Sequence, residues 1–214
     1  MTSRWLRWLF FALIVKPIIL VIFGVNVRHR ERLPASGPAI VIANHNSHLD
    51  TLVLLSLFPL KLLPRLRPVA AMDYFLRSKT LAWFSLNIIG IIPIDRDARR
   101  RGEDPLVGPE QALEKNDILI LFPEGSRGEP EQMVTFKKGV AHLAQRCPTV
   151  STTPVFMHGL GKSLPKGSAL PVPLFLDVFV GEPVSWQGDR EKYLETLRQS
   201  VRDLAAEGLF PEWR

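Results

Sequence analysis

Apolar residues along the chain fall into short runs separated by polar breaks rich in glycine and proline, and the spacing within each run tells strand from helix. Ala39-Ile40-Val41-Ile42-Ala43 is continuous and largely β-branched, and Gly37-Pro38 precedes it, so it predicts a buried strand. Asp117 to Phe122, Thr152 to Met157 and Pro173 to Val180 read the same way, as do Val69 to Met72 and the run Ile88 to Arg96, which ends in charge. Val25 to His29 alternates, as a half-buried strand does. Between them, Thr51 to Phe58, Phe75 to Phe84, Pro109 to Lys115 and Phe136 to Ala144 predict helices. The tail from Asp189 to Glu207 places Tyr193, Leu194, Leu197, Val201 and Leu204 at helical spacing. Lys61 to Pro68 and Ala98 to Pro105 read as basic, exposed loops. Strands alternating with helices predict one α/β domain over residues 25–214, with a mixed, mostly parallel sheet flanked by helices.

Residues 1–24 stand apart. Trp5 to Phe23 is the most hydrophobic stretch, but Lys16-Pro17 interrupts it beyond its middle, and a spanning helix needs about 20 mainly apolar residues. The pattern predicts a membrane-associating helix, straight or kinked, lying in the interface with Trp5, Arg7 and Trp8 at headgroup level. A signal peptide ranks below, because no small-residue cleavage site follows the apolar run.

Composition narrows the function. With 214 residues and 46% hydrophobic content the chain can bury a sizeable core, which excludes disorder. The single Cys147 excludes an internal disulfide and points to a cytosol-facing protein, so the expected location is the cytoplasmic face of the inner or cell membrane. Against 21 acidic residues stand 27 Lys and Arg, a net charge of +6, which suits lipid headgroups, phosphorylated substrates or an acidic carrier. Nucleic acid is not an expected partner, since the chain carries no helix-turn-helix, zinc or RNA-binding signature.

The chemistry concentrates in Asn44-His45-Asn46-Ser47-His48-Leu49-Asp50, directly after the first buried strand. On one continuous helix His45 and Asp50 would point about 140° apart. If the strand ends at Asn44 and a helix starts near Ser47 or His48, they meet, with Asp50 in the first helical turn where the helix dipole favours a carboxylate. An imidazole held by a carboxylate is a general base. Ser47, the only hydroxyl in the motif, fits a helix N-cap better than a nucleophile. The proton taken then belongs to a substrate hydroxyl, and a group is transferred directly onto an alcohol. His45, His48 and Asp50 are also acceptable metal ligands, but the chain supplies no clear further one.

Four blocks in order, Asn44 to Asp50, Gly90 to Arg96, Phe122 to Arg127 and Thr153-Pro154-Val155, make the chain from about Val25 onward resemble the glycerolipid acyltransferases of the lysophosphatidate acyltransferase type. The resemblance implies a membrane-associated enzyme moving a fatty acyl group from acyl-CoA or acyl carrier protein to the hydroxyl of a lysophospholipid such as 1-acylglycerol-3-phosphate, without a cofactor. It makes His45 the base and Asp50 its orienting partner. It groups Arg96, Glu124, Gly125 and Arg127, with Asn44, Ser47, Ser126 and Lys137, as substrate-binding residues, arginine being suited to grip two phosphate oxygens. Met72-Asp73-Tyr74-Phe75 departs from the family's usual lysine and Glu-Leu, which leaves open another hydroxylated lipid acceptor such as a lyso-ornithine lipid. A non-catalytic lipid binder and a thioesterase are the remaining alternatives.

Overall fold

The computed structural model describes residues 2–47, 49–75, 77–95, 98–125, 135–160, 175–208 and 210. Their strands are β1 (Val25–Arg28), β2 (Ala39–Ala43), β3 (Leu66–Ala71), β4 (Ile92–Ile94), β5 (Ile118–Leu121), β6 (Thr152–His158) and β7 (Leu176–Val180). They form one sheet in the order β1-β7-β6-β2-β5-β3-β4. All neighbours pair in parallel except β6 and β7, so β2 to β6 end along one edge. The mixed, mostly parallel sheet is the one the sequence predicts. β2 has the limits expected of it, and its five residues are all buried because helices cover both faces.

Pleating splits the core in two. Ala39, Val41 and Ala43 point to one side, where they meet helix α3 (Asp50–Leu57) and the N-terminal helix; Ile40 and Ile42 point to the other, against α6 (Val107–Glu114), α7 (Gly139–Arg146) and α8 (Arg190–Glu207). The N-terminal helix consists of α1 (Thr2–Phe10), a π-helical turn (Phe11–Val15) and α2 (Lys16–Ile22). Phe11, Val15, Ile19 and Phe23 recur every four residues and are buried, while Trp5, Leu13 and Val21 are 68%, 68% and 81% exposed. No helix of the described residues is long and apolar enough to cross a membrane.

Four expectations change. Arg7 does not sit at headgroup level: its side chain is buried and donates from Nη2 to the carbonyls of Leu66 (3.0 Å) and Ile89 (2.9 Å). The expected strand from Ile88 shrinks to Ile92–Ile94, because helix α5 (Lys79–Phe84) continues as a π-helical turn (Ser85–Ile89) that ends at Gly90. Gly90 has φ +76, and a Cβ there would lie 2.5 Å from Arg7 Nη1, so glycine is required on both counts. An apolar run alone cannot separate such a turn from a strand. The helix expected from Phe75 is likewise broken, into α4 (Met72–Phe75) and α5, and the loop expected from Lys61 is a 3₁₀ turn (Leu60–Arg65) leading into β3.

Candidate active site

β2 ends at Ala43, and Asn44 then clamps it to β6. Its Nδ2 donates to Met157 O and its Oδ1 accepts from Met157 N, both at 2.8 Å. Both ends of the Asn44 amide are thus engaged by protein backbone. The chain turns there and re-enters a helix at Asp50, whose Oδ2 accepts from His45 Nδ1 (2.8 Å), Asn46 N (2.7 Å) and Ser47 N (2.9 Å). A buried oxygen with three donors is a carboxylate site. His45 therefore carries its proton on Nδ1, and Nε2 is left with a lone pair. The ring is partly open to solvent and stacks on Phe122, with centroids 4.3 Å apart.

Helix α3 holds this arrangement by its two ends. Asp50 meets the partial positive charge at its start, while at its end Arg30 Nη2 donates to Leu57 O (2.7 Å) and Lys16 Nζ to Phe58 O (3.0 Å). Burial, then the nearby Arg30, lowers the Lys16 pKa. Ser47 is buried and its Oγ accepts from Leu49 N (3.3 Å), a turn within the loop in place of the N-cap expected of it.

Because β2 and β5 are neighbours with Ile42 opposite Leu121, the residues that follow them emerge side by side. Glu124 is 1% exposed there, and neither carboxyl oxygen has a hydrogen-bond partner among the described residues. Burial pushes its pKa up to about 7; the nearby His45 backbone N–H, short of hydrogen-bond geometry, opposes this and the Asp50 charge adds to it. Gly125 follows with φ +70, and Lys137 folds over it, its Nζ 2.6 Å from where a Cβ would stand. Lys137 N donates to Pro123 O (2.8 Å), which ties the start of α7 to the same loop.

His45, Asp50, Glu124, Gly125 and Lys137 thus converge on the edge where β2 and β5 end. Arg96, Ser126 and Arg127 lie outside the described residues, as does His48. Asp95, beside Arg96 in sequence, pairs with Arg101. Among the described residues no three His, Cys, Asp or Glu side chains group as metal ligands would. Sequence reasoning gave no site role to Phe122, the imidazole's stacking partner, and placed Arg7 at headgroup level instead of in the core. The first was legible as the last apolar residue of a strand, the second as one of two arginines in an apolar helix.

Comparison with known proteins extends the geometry. The Acyltransferase family model matches residues 24–158. A chloroplastic 1-acyl-sn-glycerol-3-phosphate acyltransferase of Arabidopsis thaliana is 30% identical over 154 residues, covering 68% of this chain and 39% of that protein. The mouse 1-acyl-sn-glycerol-3-phosphate acyltransferase alpha is 31% identical over 182 residues, covering 83% of this chain and 61% of its own length. The chain thus spans about two-fifths of the plant relative and three-fifths of the mouse one. The crystal structure of the 1-acyl-sn-glycerophosphate acyltransferase PlsC from Thermotoga maritima superposes with a TM-score of 0.77 over 97% of this chain and 81% of that one, at 21% identity, so the fold is shared. With more than half of its length matched by the family model, and His45 paired with Asp50 after β2, the chain belongs to the Acyltransferase family.

Proposed function

We propose that the chain is an O-acyltransferase that moves a fatty acyl group from a thioester, acyl-CoA or acyl carrier protein, to the hydroxyl of a lysophospholipid, 1-acylglycerol-3-phosphate being the first candidate. The observation that carries this reading is the 2.8 Å bond between His45 Nδ1 and Asp50 Oδ2, a base with no protein nucleophile beside it in the motif. His45 Nε2 takes the proton from the acceptor hydroxyl as its oxygen attacks the thioester carbonyl carbon. The tetrahedral intermediate collapses, the C–S bond breaks, and the thiolate leaves with the proton from the imidazolium. The products are an ester and a free thiol, and no acyl-enzyme forms. Ser47 supports direct transfer, since it is 2% exposed and its oxygen is occupied by Leu49 N. The Lys137 ammonium over Gly125 supports an acceptor with a phosphate, a role that the family resemblance extends to Arg96 and Arg127.

The lipid acceptor calls for a membrane surface, and the N-terminal helix supplies one side of the contact. Trp5, Trp8, Leu9, Leu13, Ile14, Ile18 and Val21 are exposed together. Trp83 and Leu86 extend them, joined to the helix through the edge contact between Phe10 and Phe84. Such an apolar surface on a chain of net charge +6 fits an interface lined with anionic headgroups.

The test is thiol release from long-chain acyl-CoA by the purified protein in detergent, with and without lysophosphatidate, followed by analysis of the lipids. Acceptor-dependent release with formation of phosphatidate is expected. Release that ignores the acceptor would make the protein a thioesterase, and release only with another hydroxylated lipid would reassign the acceptor.

A further inference from the structure

The N-terminal helix meets the sheet through a stripe that opens on a charge. Phe11, Val15, Ile19 and Phe23 are buried at every fourth residue, and Arg7, 6% exposed, stands one step ahead of them. Positions four apart drift by about 40° per step on a regular α-helix. The π-helical turn Phe11–Val15 fits more residues into a turn and offsets part of this drift, so Arg7 and Ile19 both reach the protein. Arg7 Nη2 donates to Leu66 O (3.0 Å) and Ile89 O (2.9 Å), and its guanidinium fills the space that a side chain at Gly90 would take. About 13 Å further along the helix axis, Lys16 Nζ donates to Phe58 O (3.0 Å). Ile89 and Phe58 stand where helices end, and their carbonyls have no partner within the helix.

In water the apolar stripe by itself keeps such a helix on the sheet. Beside a bilayer it does not, because lipid chains are as apolar as the core and cover the stripe equally well. A carbonyl that loses its donor finds no water in hydrocarbon, and a guanidinium taken there is costlier still. The two basic side chains are thus the contacts for which lipid offers no substitute. One such pin leaves the helix free to swing, and two fix its direction. We propose that Arg7 and Lys16 are positioning residues: they hold the N-terminal helix to the sheet while its outer face, with Trp5, Leu13 and Val21, lies in lipid, and so fix the angle at which the edge carrying His45 meets the bilayer. Lys16 acts through the end of α3, the helix that begins at Asp50. Arg7 acts through the carbonyl before Gly90, where the second of the four sequence blocks begins.

This inference rests on the membrane reading given under the proposed function, and the test keeps the two apart. Nitroxide labels on Leu13→Cys and Gln199→Cys, both exposed positions, in a Cys147→Ala background, report a distance across the sheet by pulsed electron resonance. In nanodiscs of phosphatidylcholine and phosphatidylglycerol the otherwise wild-type chain should give one narrow distance. Arg7→Met combined with Lys16→Met should give a broad one, as methionine fills the space and removes the donors. Arg30→Met, which removes a similar bond to Leu57 O from outside the N-terminal helix, should keep the narrow distance. A narrow distance in the double variant, or equal broadening by Arg30→Met, overturns the proposal. Should the double variant not fold, Lys16→Met decides, since it loses a single bond from a half-buried side chain: it should broaden the distance, and a wild-type distribution overturns the proposal. In the transfer assay Arg7→Met should lower the ratio of kcat/KM for long-chain lysophosphatidate in vesicles to that for a short-chain one dissolved in water, by about tenfold, as misplacement does. A general loss of stability lowers both and leaves the ratio unchanged, and that result would overturn the orienting role. The distance measurements need no acyl transfer. A wild-type chain that fails to bind the nanodiscs overturns the membrane reading itself, whereas one that binds with a broad distance overturns only the role of the two pins.

Discussion

The two faces of the sheet are covered by helices that bury the same kind of residue and present different ones to the outside. On one face α8 buries Tyr193, Leu194, Leu197, Val201 and Leu204, and its outer positions are Glu191, Lys192, Glu195, Gln199, Arg202 and Asp203. On the other, the N-terminal helix buries Phe11, Val15, Ile19 and Phe23, and its outer positions include Trp5, Leu13 and Val21. Burying one stripe accounts for both helices as parts of a core. Only the first has the outer surface that water selects. Large apolar side chains kept side by side in the open cost solubility, and on a helix that already has its core stripe they add nothing to the fold. The difference supports the reading that the face carrying α3, and with it Asp50, meets something other than water. On the reading proposed here that is the membrane holding the acceptor, which then arrives on the side of the sheet where the base stands.

The largest effect tests the chemistry of that face. His45→Ala should lower turnover by about 10³-fold or more, since the general base is lost, while the far-ultraviolet spectrum and the unfolding midpoint stay close to wild type. Near-normal activity in this variant would end the mechanism. Next comes the contrast itself. Replacing Trp5, Leu13 and Val21 together by lysine should weaken binding to vesicles containing anionic lipid by roughly a hundredfold, the order expected for losing a few buried apolar side chains. Replacing Lys192, Glu195 and Gln199 of α8 by alanine should leave vesicle binding within about twofold and stability within about 0.5 kcal/mol. Equal losses in sedimentation with vesicles from the two sets would dissolve the comparison.

A third effect concerns how the apolar helix is held. Burial, followed by the nearby Arg67, lowers the Arg7 guanidinium to about 10, so it remains charged at neutral pH and is held by two backbone carbonyls. Arg7→Ala should cost about 2–3 kcal/mol in denaturant unfolding, through carbonyls left unpaired and packing lost along the side chain. Arg7→Lys should recover only part of this, as a point charge cannot reproduce the planar fork. A change below about 0.5 kcal/mol for the alanine variant would show that the helix is held by its apolar stripe alone.

Much of this architecture was legible because local patterns decided it. β2, the helix after it, and α8 follow from periodicity and punctuation, and the meeting of His45 with Asp50 follows from placing the turn between strand and helix. The rest depends on which elements become neighbours. Arg7 reads as a surface residue until Ile89 and Leu66 are found beneath it, and the π-helical turn that presents Ile89 O resembles a strand in sequence. Nor does the sequence state that β5 lies beside β2, which alone brings Glu124 and Phe122 to His45. Asn44 and Ser47 belong to the right motif, yet their polar atoms face the protein, because a turn between a buried strand and a buried helix must satisfy its own backbone.

The smallest effect sharpens the comparison inside the site, between Asp50, whose Oδ2 has three donors, and Glu124, which has none among the described residues. The ordinary value for Glu124 is 4.5 and burial raises it to about 7, so the folded protein holds this proton more tightly than the unfolded chain does. Between those values the folded state binds more protons, and stability therefore falls as pH rises. The contribution is complete below 4.5 and gone above about 7. The amide introduced by E124Q cannot ionise and should not take part in this change. The stability of E124Q relative to wild type should therefore rise between pH 5 and pH 8, by roughly 2 kcal/mol in the variant's favour. Denaturant unfolding at the two pH values measures the difference directly, and the amide's own fit in the pocket cancels because it is the same at both. A difference that stays constant would mean that Glu124 is ionised in the folded protein across this range, and the distinction between the two carboxyls would then lie in hydrogen bonding alone.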